Sequence, residues 1–229
     1  MNSRDLLQDN PFLAVDKREV WNPGTLEMAL PVVRGVGIEP GMRVLEVGGG
    51  SGQVACIMAK HWNVTVVTLE PWHGGADIDV RARTEGVWDR VITMKLEVQH
   101  LPFARDSFDA VVAFGAMEMI ARDRPVALEQ IKRVLRPGAL FGVAEAMSRP
   151  DVERAYPEFD TLEENLMLYR HHGLEVVQGA YFEDGYDMWL ENLKLWTTVS
   201  PEERAKIEGD GGRSIANGII VARKPVENA

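Results

Sequence analysis

The sequence predicts an α/β domain built on a mainly parallel sheet. Three observations carry that expectation. A short apolar run, Val44, Leu45 and Val47, is followed by four glycines within five positions (Gly48, Gly49, Gly50 and Gly52) and then by a stretch, residues 53–61, that can be helical. Apolar runs of strand length alternate with amphipathic stretches along the chain. The run at 108–115 is continuously apolar, as parallel strands buried on both faces are.

Composition narrows the class. The chain has 229 residues, 45% of them apolar, which suits one domain with a full core. No apolar run reaches the length of a membrane span, and the first residues have no signal-peptide pattern. The single cysteine, Cys56, excludes an intrachain disulfide and a multi-cysteine metal site, so no metal is expected. Together these features point to the cytoplasm. A net charge of −10 with no basic cluster disfavours nucleic acid and anionic lipid as partners.

Each element follows from its residues. Residues 1–21 are polar with scattered apolar anchors, including Phe12, Leu13, Val15 and Trp21. They form either a loose arm or a lid that brings Trp21 to a substrate. Asn22-Pro23 reads as a helix start, with Asn22 as N-cap, and Leu26, Leu30 and Val33 follow a helical period. The first strand is the run ending at Val47. The second covers 63–70 and closes on Glu70; a helix begins near Ala76 or Asp77. The third strand covers 90–97 and the fourth 108–115. A helix over 125–135, with Val126, Ile131 and Val134 on one face, is ended by the breaker Pro137-Gly138. The fifth strand covers 139–147. A helix over 162–172, strand six over 174–182 and a closing strand over 219–224 complete the pattern.

Glycine at the strand-to-helix turn lets the backbone bend sharply and approach a ligand without Cβ atoms. The helix that follows presents backbone N–H groups to it. Gly50-Ser-Gly-Gln-Val-Ala55 fits the spacing of dinucleotide binders. Counted from Gly48, which closes the strand, Gln53 stands where the third small residue belongs. No Gly-Lys-Ser/Thr is present, which excludes a P-loop. Glu70, 18 residues after Gly52, is placed to accept hydrogen bonds from ribose hydroxyls, as either a dinucleotide or another adenosine ligand requires.

Val44-Leu-Glu-Val-Gly-Gly-Gly-Ser-Gly52 resembles the first motif of class I S-adenosylmethionine-dependent methyltransferases, with Gly49 in place of the usual cysteine, alanine or serine. Glu97-Val-Gln-His-Leu-Pro-Phe103 followed by Ser107-Phe-Asp109 is similar to the family's next motif. The helix-Arg136-Pro-Gly138-strand passage is similar to a third. The resemblance implies a Rossmann-like sandwich: a seven-stranded, mostly parallel sheet with an antiparallel final strand. It implies S-adenosyl-L-methionine as cofactor, held by Glu46, Gly48, Gly49, Gly50, Gly52, Glu70, Pro71, Glu97, Val98 and Phe114. Methyl transfer to an oxygen, nitrogen or sulfur atom of a small molecule is the implied reaction.

The chain departs from the family's minimal core between strands six and seven, where a helical insert occupies 185–217. Its rings, among them Tyr186 and Trp189, and Tyr156 before it have three readings: core packing, a substrate cap or a homodimer surface. Glu118, just past the fourth strand, is the first choice of general base and His73 a second. Glu145, Tyr156, Asp187, His171 and His172 are further candidates. Two rival classes stand beside the methyltransferase: an NAD-dependent oxidoreductase, and a non-catalytic homodimeric interaction protein of the same fold.

Overall fold

The structure is a computed structural model that describes residues 10–16, 22–72, 75–197 and 199–226. Seven strands form one sheet: β1 (Arg43–Val47), β2 (Thr65–Leu69), β3 (Val91–Met94), β4 (Phe108–Phe114), β5 (Leu135–Ser148), β6 (Glu175–Tyr181) and β7 (Ile215–Arg223). Their order is β3-β2-β1-β4-β5-β7-β6, and β7 alone runs antiparallel to its neighbours. The helices are α1 (Thr25–Gly35), α2 (Gln53–His61), α3 (Ala76–Thr84), α4 (Met117–Ile120), α5 (Arg124–Val134), α6 (Leu162–His171), α7 (Gly185–Leu195) and α8 (Pro201–Asp210). The expected sandwich and its insert, α7 and α8 between β6 and β7, are present.

The two-residue period of each strand divides the core. Val44, Val66, Val112 and Phe114 face one side, against α1, α2 and α3. Leu45, Val47, Val67, Val111 and Val143 face the other, against α5 and α6. Strand order reverses between β1 and β4, so the crevice beyond their carboxyl ends is where such sheets bind ligands.

Local details differ from the sequence expectation, each for a physical reason. Asn22 is not the cap of α1: Gly24, at φ +77°, holds that position. The Asn22 amide instead donates to the Gly115 carbonyl, beyond the end of β4. Arg136-Pro-Gly138 does not interrupt the chain between elements. It is absorbed into β5 as an irregularity in the pairing with β4, with Gly138 at φ +80°. Val126 faces solvent, and Ala127 and Leu128 take the buried side of α5. At α8, where Ser200-Pro-Glu-Glu203 has the spacing of a capping box, only half a box forms. Ser200 Oγ accepts the Glu203 N–H at 3.0 Å, but the Glu203 carboxylate is engaged by the Tyr156 hydroxyl. The complete box lies at α6, between Thr161 and Glu164.

The insert packs onto the sheet end through a third apolar cluster of Tyr156, Phe159, Trp189, Leu193, Ile207 and Ile215. One side chain ties it to the rest. Asn217 on β7 accepts the Trp189 indole N–H at 3.1 Å and donates to the Pro23 carbonyl at 3.3 Å. Asn217→Ala leaves a buried indole N–H and a carbonyl without partners. We expect a loss of about 3 kcal/mol in urea-unfolding free energy with an unchanged m-value. A loss below about 1 kcal/mol would show that α7 docks independently of this link.

Candidate functional site

The turn after β1 is held by the end of β2. The N–H groups of Gly48 and Gly49 both donate to the Leu69 carbonyl, at 3.0 and 2.8 Å. Gly48, Gly50 and Gly52 all have positive φ, and Gly52 precedes the first residue of α2. A Cβ on Gly48 would stand 2.6 Å from Ala116 Cβ, and one on Gly49 would collide with the Thr68 hydroxyl. Glu70 locks the turn from the next strand. Its Oε2 accepts the Gly50 N–H and its Oε1 the Trp72 N–H, each at 2.9 Å.

Below the turn lies Glu46, only 1% exposed. Thr68 Oγ1 donates to its Oε2 at 2.6 Å. Burial pushes its carboxyl up to about 8; the Thr68 bond opposes the rise and the Glu70 charge adds to it.

These groups open into a cleft of about 260 Å³. Of the residues expected to hold a cofactor, Glu46, Gly48, Gly49, Gly50, Glu70, Pro71, Glu97, Val98 and Phe114 line it. Gly52 stands behind the turn, packed so closely on Ile78 that a Cβ would meet its Cγ2 at 2.7 Å. Val98 is buried at the start of a short 3-10 turn, Val98–His100, while Glu97 pairs loosely with His100 at 3.6 Å. Gly115 and Ala116 line the cleft beside Phe114, as the family resemblance implies, but the rest of the opposite wall was not legible as a site: Asn22, Thr25 and Leu26 from the start of α1, and Met119 and Ile120 of α4. Asn22 carried a signal that pointed instead to capping. The apolar residues carried none, because they look like core. Gln53 also lines the cleft, and its amide donates to the Asp16 carbonyl at 3.0 Å, bringing the N-terminal segment to the rim.

The candidates outside the cofactor set fare differently. Trp21 and His73 lie outside the described residues. Tyr156, Tyr186 and Trp189 do not line the cleft. Tyr156 and Trp189 pack ring against ring, tilted by 31°, in the third apolar cluster, and the Tyr186 hydroxyl donates to the Ile207 carbonyl at 2.8 Å. His171 and His172 sit just before β6, at the sheet end opposite the cleft, since Glu175 pairs through Arg223 with the Leu140 end of β5. Glu118 is buried in α4 and turned toward β5, where Glu145 Oε2 accepts its backbone N–H at 3.0 Å. Its neighbours Met119 and Ile120 line the cleft and Glu118 does not.

A glycine turn closed by acids at the ends of two adjacent strands, beside a crevice at the reversal point of the sheet, is a nucleotide-type site, and over this half the chain is similar to S-adenosylmethionine-dependent methyltransferases. Residues 45–143 match the family model of a methyltransferase domain. The chain is 32% identical over 158 residues to sterol 24-C-methyltransferase ERG6B of Gibberella zeae, a match spanning 65% of this chain and 41% of that protein. In fold it is similar to the cyclase SpnF, with a TM-score of 0.75, 23% identity, and coverage of 87% of this chain and 80% of the other. Geranyl diphosphate C-methyltransferase from Streptomyces coelicolor, solved with S-adenosyl-L-homocysteine, gives a TM-score of 0.74 at 16% identity, covering 86% and 78%. The chain thus spans about two fifths of the length of the sterol methyltransferase it matches. No helix among the described residues is long and apolar enough to cross a membrane.

Glu46 makes the ligand-free protein pH-sensitive. Its folded pKa, about 8, lies above the ordinary 4.5, so its contribution to stability is full below about pH 4.5 and is lost as pH rises through 8. Glu46→Gln keeps an acceptor for Thr68 and removes the titration. Calorimetric melting should show the variant equal to the parent near pH 5 and several °C more stable near pH 9. The same difference at both pH values would contradict the assignment.

Proposed function

We propose that this chain transfers a methyl group from S-adenosyl-L-methionine to a small-molecule acceptor. The observation that carries the reading is the glycine turn locked to Glu70 above the buried, Thr68-bonded Glu46. The cradle fits that cofactor. The turn at Gly48, Gly49, Gly50 and Gly52 leaves no Cβ between backbone and ligand. Both Glu70 oxygens accept backbone N–H groups, which fixes the carboxylate where ribose hydroxyls would meet it. Pro71, Glu97 and Val98 flank the place for adenine, and Phe114 the place for the sulfonium. Glu46 supplies a carboxyl that becomes a carboxylate when a cation is bound beside it.

The bound cofactor supplies an activated methyl group on a sulfonium. The residues position the acceptor and exclude water from the line of displacement. The wall of Leu26, Ala116, Met119 and Ile120 suits an acceptor with an apolar body. Relatives named for sterol and geranyl diphosphate methylation support the same acceptor class. Neither Glu118 nor the insert rings are assigned a chemical role, because neither faces the cleft. The net charge of −10 supports a small molecule over nucleic acid, and the lone buried Cys56 a reducing, cytoplasmic setting.

Titration calorimetry with S-adenosylhomocysteine, which keeps the amino-acid ammonium, tests the reading. Saturable one-site binding is expected, and Glu70→Ala should weaken it at least about a hundredfold. Near pH 7 the free protein holds the Glu46 proton, so binding should release it. The measured heat should then vary with the buffer's ionisation enthalpy, and Glu46→Gln should abolish that variation. Binding of NAD in place of S-adenosylhomocysteine would overturn the reading.

A further inference from the structure

Behind the wall of the cleft lies a second pair of buried carboxyl groups. Glu145 sits on β5, on the same face as Val143 and Met147, and is 1% exposed; Glu118, on α4, is 7% exposed. Glu145 Oε2 accepts the Glu118 N–H at 3.0 Å, so a side chain from the sheet caps a helix of four residues that has few hydrogen bonds of its own. Glu118 Oε2 and Glu145 Oε1 are both fully buried without a hydrogen-bond partner among the described residues. Two adjacent buried carboxylates would repel and would leave both oxygens unsatisfied. One proton between them supplies the missing donor.

Among the described residues, Arg124, at the start of α5, is the cation whose charge bears on the pair, but it is ion-paired to Asp160 and donates to Asn165 Oδ1 at 2.8 Å. From α6, Tyr169 presents a buried hydroxyl that also lacks a partner. Asp123, before α5, is exposed at the cleft. Burial raises both carboxyl groups. The Glu145 charge lifts Glu118 further, while the Glu118 hydrogen bond and Arg124 restrain Glu145 and Asp160 raises it. Glu145 already accepts the Glu118 N–H, which suits it to the carboxylate role and leaves Glu118 to carry the proton.

We propose that Glu118 and Glu145 hold one proton in common, as acid and carboxylate, and that this proton fixes α4 as a wall of the cleft. Ala116, Met119 and Ile120 line the cleft from this segment, and Ala116 packs on the turn at Gly48. When the proton leaves to solvent at alkaline pH, two like charges remain and the cap on α4 weakens. Glu145 is then a positioning residue that acts through Glu118. The inference concerns the ligand-free chain and stands independently of the methyl-transfer reading.

Hydrogen–deuterium exchange of residues 115–121, expressed as protection factors, reads this segment without reference to activity. In the parent, protection should fall by about tenfold as the pH is raised from 6 to the most alkaline at which the fold persists. Glu118→Gln and Glu145→Gln each restore a neutral donor beside an acceptor and should hold protection level across that range. Glu118→Ala should lower it at both pH values. Infrared difference spectra in the Glu46→Gln background give a readout that needs no change at the pair. A protonated-carboxyl band present at pH 6 should disappear over the same alkaline range in which protection falls, and should be missing once Glu118→Gln is added. A flat parent profile, or glutamine variants that keep the parent's pH dependence, would overturn the shared proton.

Discussion

The close approach between the turn after β1 and the end of β2 is the constraint on which the site depends. Gly49 lies against the Thr68 hydroxyl, and that hydroxyl is the one that holds Glu46. Two glycine N–H groups share the Leu69 carbonyl, and Glu70 takes the third. A side chain at Gly49 would therefore displace Thr68, release Glu46 and lift the turn from Glu70 together. Parallel pairing of β1 with β2, register Val47 to Leu69, sets all of these contacts at once. The glycines are needed because the strands are adjacent, and the ligand cradle is a consequence of the same closeness.

The other side of the cleft is built by long-range tethers. Asn22 binds the Gly115 carbonyl, and Asn217 links the Pro23 turn to Trp189 of the insert. Met188 of α7 packs where a Cβ on Gly24 would fall. The insert thus braces the start of α1, whose Asn22, Thr25 and Leu26 form the wall, without itself reaching the cleft. Tyr156 and Trp189 are buried for this reason: the sheet end, the connector and α7 meet over them.

What could be read from the sequence follows from how local each signal is. Strands, the glycine turn, Glu46 and Glu70 are legible because chemistry and position along the chain coincide. The start of α3 near Ala76 was legible from Gly74-Gly75, which weakens any earlier start. The Glu118–Glu145 pair was not, because its members are 27 residues apart and meet only through the β4–β5 pairing. Glu118 looked like a base facing ligand, since a helix of four residues gives too little periodicity to say which side faces in. Ser200 and Glu203 fit a capping box by spacing alone, yet Tyr156, distant in sequence, captures the glutamate. Aromatic content marked the insert as special and could not say whether its rings turn inward or out.

The hairpin that carries the insert has a further consequence. Tyr181 at the end of β6 and Gly218 on β7 already face each other across the ladder. The residues between β6 and the start of β7 at Ile215 leave the sheet and return beside their point of departure, so their number is decoupled from strand register. An architecture of this kind lets lineages exchange the segment as a module, reshaping one rim of the molecule while the nucleotide half stays unaltered. Any replacement must supply partners for Asn217, for the Gly24 turn and for the rings of Tyr156 and Phe159 that now pack on Trp189.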